Sequence, residues 1–306
     1  MISPRVTRHR LEDACVGALF AVARRIPRRG NLAIGRALGR VVATFDRRHV
    51  GIAAGNLRQA FPEWAEARVQ RTARGVYAHL GQVLFELMWM SGQTRETIQP
   101  LIEIEGGEHV EAAIAAGRGI LFATAHIGGW EMCGVTHGWN FVPMGAVYRP
   151  LDNPLLDRRL ANVRRMSGNT LIDKRRALGR LLRRLRKGDG VAMLIDQNVQ
   201  EKDGIFAQFF GRPASTTTSA ALLALKTGCT LLGGWMLIGP DDRYTMRYDA
   251  PIVVESTGDR ERDVARITQA LNDMIERWVR SAPEQWLWIH RRWHTQPPQA
   301  TTEGDD

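Results

Sequence analysis

The alternation of apolar and polar positions changes character near Ser91. Upstream, apolar residues recur every three to four positions, the period of a helix buried along one face. Residues 11–26 carry such a face beside Arg24, Arg25, Arg28 and Arg29, and Pro27 ends it. Residues 32–45 repeat the scheme, with Leu32, Ile34, Leu38, Val41 and Val42 set among Arg36, Arg40, Arg47 and Arg48. A longer helical pattern covers 65–90, and its second half is nearly all apolar, as in a helix packed into a core. Beyond Ser91 short apolar runs alternate with helical periods, which predicts a mainly parallel sheet. The predicted strands are 102–105, 120–125, 142–147, 170–172, 191–195, 230–236, 244–249 and 252–254. Helices are predicted at 107–116, 129–138, 153–167, 174–187, 216–227 and 260–280. The fold class is therefore α/β, a mainly parallel mixed sheet flanked by helices, preceded by an N-terminal helical segment that can associate with a membrane. The expected organisation is an amphipathic helical segment over 1–95, an α/β domain over 96–296 and a disordered polar tail over 297–306.

Composition adds few constraints. A chain of 306 residues with 44% hydrophobic content can bury a sizeable core. The net charge of +10 suits an anionic partner: a phospholipid surface, a phosphorylated substrate, an acidic carrier protein or nucleic acid. Only four of the 42 basic residues are Lys, so genomic bias toward Arg is an equally good source of the charge. Cys15, Cys133 and Cys229 are scattered without CxxC spacing, which argues against a disulfide framework or a zinc site. No stretch reaches the ~18 apolar residues of a spanning helix. The best N-terminal candidate, residues 14–23, is too short to span and runs into Arg24 and Arg25 without a small-residue cleavage site. A chain neither secreted nor integral is expected. The Arg-fringed helices either lie in a bilayer interface or pack on the domain.

Candidate chemistry is concentrated in GRGILFATAHIGGWEM (117–132). An apolar strand runs up to His126, Gly128 and Gly129 supply a hinge, and Glu131 falls in the first turn of the next helix. The five-residue step would splay His126 and Glu131 on a continuous helix, so they meet only if His126 precedes it. There is no HExxH pattern and no G-x-S-x-G elbow, against a metalloprotease or a serine hydrolase. What remains is a His steadied by a carboxylate and ready to take a proton from a hydroxyl.

HIGGWE resembles the HX4(D/E) motif of the glycerolipid acyltransferase superfamily. YRPLDNPLLD (148–157), NVRRMSGN (162–169), LLRRLRKGDGVAMLIDQN (181–198), FFGRPASTTTSA (209–220) and PEQWLWIHRRW (283–293) narrow the resemblance to the bacterial lipid A late acyltransferase family. That resemblance implies an O-acyltransferase working on a membrane lipid acceptor such as a lipid A precursor, with acyl carrier protein or acyl-CoA as donor and no cofactor or metal. It implies His126 as general base with Glu131 as its partner, and substrate contacts at Arg149, Arg164 and Asp196. It also implies a peripheral enzyme at the cytoplasmic face of the bacterial inner membrane, although many family members carry an N-terminal membrane helix that this chain lacks. Read from the residues alone, Asp196 is either a loop-capping carboxylate or a substrate contact. Gly129 belongs to a helix start whose N–H groups, over 128–130, suit an oxyanion, a role an arginine could also fill. Gly211, Arg212 and Pro213 form a turn before a helix start at 215–219, either an anion site or a simple N-cap. The run 174–188 places Leu178, Leu181, Leu182 and Leu185 inward, and its Arg face either docks an acidic carrier or lipid head groups or is solvated. Trp286, Trp288 and Trp293 suit interface anchoring or core packing. A phosphatidylinositol mannoside, a lysophospholipid or an aminolipid are alternative acceptors. A non-catalytic acyl- or membrane-binding protein is a further alternative. Nucleic-acid binding lacks any matching motif.

Overall fold

The computed structural model describes residues 4–298. The part of the expected disordered tail from 299 onward lies outside the described residues. Four helices open the chain: α1 (Pro4–Ala23), α2 (Arg28–Phe45), α3 (Arg47–Ala60) and α4 (Glu66–Met90). Asp46 separates α2 from α3 and caps the latter by accepting the His49 N–H at 3.2 Å. Helix α3 left little trace in the apolar pattern because it buries mostly small or polar residues: Ala53, Ala54, Asn56 and Ala60 around Leu57. Helices α2 and α4 touch through glycines. A Cβ on Gly39 would overlap the Tyr77 carbonyl, and one on Gly81 would overlap the Gly35 carbonyl. An adjoining flank of α2 is apolar and bare: Ile34, Leu38, Val41, Val42 and Phe45 are exposed, Phe45 by 82%.

The remaining elements are α5 (Arg95–Ile98), β1 (Ile102–Glu105), α6 (Gly107–Ala115), β2 (Ile120–Thr124), α7 (Trp130–Asn140), β3 (Met144–Tyr148), α8 (Pro154–Arg164), β4 (Thr170–Asp173), α9 (Ala177–Arg186), β5 (Gly190–Leu194), β6 (Gly204–Phe209), β7 (Arg212–Thr217), α10 (Ser219–Thr227), β8 (Thr230–Ile238), β9 (Tyr244–Tyr248) and α11 (Arg260–Ser281). Seven strands form a sheet in the order β1-β9-β8-β2-β5-β3-β4. Strands β8, β2, β5, β3 and β4 are parallel, β9 pairs antiparallel with β8, and β1 runs parallel to β9. The sheet is thus mostly parallel, mixed and flanked by helices.

Two predicted elements take other forms. Residues 252–254 contribute a single bridge, Leu231 to Ile252, in place of a strand. Residues 212–217 are strand β7, paired with β6 across a two-residue turn at Phe210 and Gly211, and the helix starts only at Ser219. Both turn residues have positive φ, the geometry of a primed hairpin turn. One layer of core packs α3, the start of α4, α9, α10 and α11 against the sheet, and the other packs the end of α4, α6 and α7 against its second face. Trp286, Trp288 and Trp293 are all buried in the first layer, so they are core residues. In α9, Leu181 and Leu185 point inward as predicted, but Leu178 is 64% exposed.

Candidate active site

The parallel strands bring their carboxyl ends to one edge, where open α/β sheets hold ligands. Strand β2 delivers His126 there. The turn after it needs Gly128, whose φ is +56° and whose missing Cβ makes room for the Met236 carbonyl. The hinge is tied down on both sides. Gly128 N–H donates to the Gln285 carbonyl at 2.9 Å, Gly129 N–H to the Met236 carbonyl at 3.1 Å, and Leu287 N–H to the His126 carbonyl at 3.1 Å. Two of the three N–H groups expected to serve an oxyanion, those of Gly128 and Gly129, are therefore already used by the fold.

The carboxylate that meets the imidazole is Asp196, just past β5. Its Oδ1 lies 2.9 Å from His126 Nδ1, and its Oδ2 accepts the His126 backbone N–H at 2.9 Å and the Trp286 indole N–H at 2.8 Å. Asp196 is 3% exposed, with both oxygens engaged. This fixes the imidazole tautomer: Nδ1 carries the proton and Nε2 is left as the basic atom. Among the described residues no partner bonds Nε2. Burial disfavours the imidazolium, but the Asp196 charge and hydrogen bond outweigh it, so the His126 pKa is raised above its ordinary value. Burial likewise works against ionised Asp196, and the His126 charge and bonds overcome it, holding its pKa below the usual range. The Trp130 ring stands edge-on to the imidazole, 5.7 Å between centroids.

Glu131 sits in the first turn of α7 but turns to Arg164, in the last turn of α8. The guanidinium grips it with two bonds, Nε at 2.9 Å and Nη2 at 2.5 Å. The expectation that Glu131 orients the ring is corrected accordingly: a charge-assisted fork holds that carboxylate more strongly than one imidazole bond would. Glu131 still acts on His126 through space, adding to the upward shift that Asp196 dominates. Arg149 is exposed at the rim of the same cavity. Gly129 is buried behind the hinge, against the Tyr244 ring. Arg212 stands exposed on the β6–β7 hairpin and does not line the cavity, because the helix start expected beside it is displaced to Ser219. The pairing of Asp196 with the imidazole, and of Trp286 with Asp196, was hidden from sequence spacing, since Asp196 lies 70 residues from His126 and Trp286 a further 90 beyond it.

His126, Glu131, Arg149, Arg164 and Lys174 border the polar part of a cavity of about 820 Å³. The rest of its lining includes an apolar group, Phe122, Val135, Met144, Met246 and Tyr248, buried along one face of the sheet beside the half-buried Ala192, and the exposed Leu178 also borders it. Cys133 lines it too, but burial pushes its thiol up to about 12, so it stays protonated near neutral pH. A long apolar recess beside an oriented base suits an alcohol attacking a carbonyl that carries a hydrocarbon chain.

Comparison with known proteins agrees with this chemistry. The model of the family described as bacterial lipid A biosynthesis acyltransferase matches residues 3–295. The chain is 29% identical over 268 residues to the lipid A biosynthesis lauroyltransferase of Escherichia coli K12, covering 86% of this chain and 85% of that protein. It is 27% identical over 267 residues to the palmitoleoyltransferase of the same organism, with the same coverage. A phosphatidylinositol mannoside acyltransferase of Mycolicibacterium smegmatis is 28% identical over 230 residues, 73% of this chain and 71% of that protein.

Proposed function

The chain belongs to the bacterial lipid A biosynthesis acyltransferase family and is an acyltransferase, and we propose that it moves a fatty acyl chain from a thioester, carried by acyl carrier protein or coenzyme A, to a hydroxyl of a lipid A precursor. The observation that supports this most directly is His126 itself, with Nδ1 on Asp196 and Nε2 free beside an apolar recess. The acceptor oxygen attacks the thioester carbonyl while Nε2 takes its proton. Asp196 stabilises the imidazolium that forms. The tetrahedral oxyanion falls to Arg149 and the free N–H groups at the start of α7. As it collapses, the C–S bond breaks, and the departing sulfur takes the proton back from Nε2. The ester and a free thiol are the products. The Glu131–Arg164 pair walls the polar end, and the recess from Phe122 to Tyr248 takes the hydrocarbon tail.

Attachment at the cytoplasmic face of the bacterial inner membrane is proposed as peripheral. No described helix is long and apolar enough to cross a membrane. The bare flank of α2 from Ile34 to Phe45 suits shallow burial in the acyl boundary. The mycobacterial relative supports a second acceptor class, a phosphatidylinositol mannoside. The test is purified protein given an acyl-carrier-protein thioester, or acyl-CoA, with either acceptor, the products read by mass spectrometry. An acylated lipid A precursor that disappears with His126→Ala is expected. Transfer to the mannoside alone would replace the acceptor, and full transfer by the variant would overturn the mechanism.

A further inference from the structure

A second cavity, of about 980 Å³, lies behind the His126 hinge, bounded by α2, α4, the β8–β9 turn and residues 283–285. It shares no lining residue with the cavity described above. One face of α4 walls it, with Arg68, Arg71, Thr72, Gly75, His79 and Gln82 at helical spacing, and Arg74 stands beside them. From α2 come Arg36 and Arg40. These are five guanidinium groups against two carboxylates, Asp242 and Glu284. Asp242 is already held by Arg36 at 2.6 Å. Among the described residues Arg40, Arg68, Arg71 and Arg74 form no ion pair. Arg68 is fixed flat over Trp64, 3.7 Å from the ring centroid, and Trp64 stacks on Phe61 at 4.0 Å.

At the floor, Gln82 is 6% exposed and its amide nitrogen has no hydrogen-bond partner among the described residues. An unmade bond of that kind is costly. A cavity with four exposed guanidinium groups outside ion pairs, one buried unpaired amide and positive charge in excess suits a ligand with several acceptor oxygens. A single carboxylate would balance only one charge. A phosphate ester offers two charges and three free oxygens to guanidinium forks.

We infer that this cavity binds a phosphate ester, held by Arg40, Arg68, Arg71 and Arg74 with the Gln82 amide as a buried donor. The inference does not rest on the acyl-transfer chemistry. The ester belongs either to an anionic phospholipid head group or to a soluble compound. On α2, Arg36 and Arg40 lie roughly opposite the bare apolar flank at 100° per residue. The site also touches the hinge from behind, because His79 on the same wall donates its Nε2 hydrogen to the Gly128 carbonyl at 3.2 Å.

The test uses the full chain, with inorganic pyrophosphate as the soluble probe in titration calorimetry and phosphatidylcholine vesicles, with or without phosphatidylglycerol, in co-sedimentation. Saturable binding is expected, weakened at least about tenfold in Arg71→Ala/Arg74→Ala. Gln82→Leu is expected to weaken it several-fold without lowering the melting temperature, since it removes an unpaired buried amide. A purely structural Gln82 would show the reverse. Variant-sensitive pyrophosphate binding identifies a soluble ester. Variant-sensitive binding confined to phosphatidylglycerol vesicles identifies a head group. If neither probe separates the wild type from Gln82→Leu or the double variant, the inference is overturned.

Discussion

Replacing Asp196 by Asn tests the proposed mechanism at its tightest point. The carboxylate takes two hydrogen bonds on Oδ2, from the His126 backbone and from Trp286, and one on Oδ1 from the imidazole. An amide keeps the first pair only by placing its oxygen at the Oδ2 position, and its NH2 group then faces Nδ1. The imidazole must answer with an acceptor there, which moves its proton to Nε2, the atom required as base. Two interactions are lost, the charge-assisted bond that selects the tautomer and the attraction that stabilises the imidazolium. At about 1.5–3 kcal/mol each, they sum to about 3–6 kcal/mol, or a fall in turnover of between about 10² and 10⁴. The pH profile carries a second signature. In the wild type the Asp196 contribution more than offsets burial and holds the His126 pKa above the ordinary ~6.5. The base works when deprotonated, so kcat/KM rises with pH along a limb above ~6.5. In the variant burial acts without that carboxylate, and the limb moves to lower pH. Thioester consumption that depends on acceptor is the assay, with circular dichroism melting as the control for folding. A folded Asp196→Asn protein within about threefold of wild-type turnover, with an unshifted limb, would refute the reasoning.

Four further outcomes follow from the same structure. His126→Ala should lower turnover by at least ~10²-fold while the protein stays folded, checked by the same assay and melting curve. Glu131→Gln should lower kcat/KM by about tenfold or more, because a neutral amide no longer holds the Arg164 fork as a carboxylate does; equal rates would exclude a role for that pair. Phe122→Ala, in the buried apolar lining of the recess, should shift the preferred donor to a longer chain in a competition among thioesters, with about 3–5 kcal/mol of stability lost to the cavity. Leu38→Glu with Val42→Glu, on the bare flank of α2, should weaken vesicle co-sedimentation with little change in melting temperature, since both side chains are about half exposed.

The sheet and most of its helices were legible because their apolar runs have the right periods and are punctuated by Gly and Pro. Helix α3 was not, since it buries alanines and an asparagine that give no contrast. The β6–β7 hairpin was missed because its turn is Phe-Gly and its buried positions include Ser215 and Thr216, which read as polar. At the site, the spacing of HIGGWE located His126 on a strand end before a glycine hinge. It could not tell which carboxylate reaches the ring. Local spacing favoured Glu131, but pairing is decided in space, where β5 runs beside β2 and delivers Asp196 to the same edge. Arg164 was singled out from its helix, yet its partner Glu131 lies 33 residues away and no single sequence reveals that bond.

Glycines at 35, 39 and 81 let the backbones of α2 and α4 lie directly against each other. A helix fastened so closely cannot swing out as a separate anchor. If its greasy flank settles on a bilayer as proposed, the rest of the molecule must tilt with it, like a tile laid on one edge. The angle at which fatty substrates meet the catalytic opening would then be dictated by three missing side chains outside the lining of the cavity, and enlarging any of them should misalign delivery before it touches chemistry.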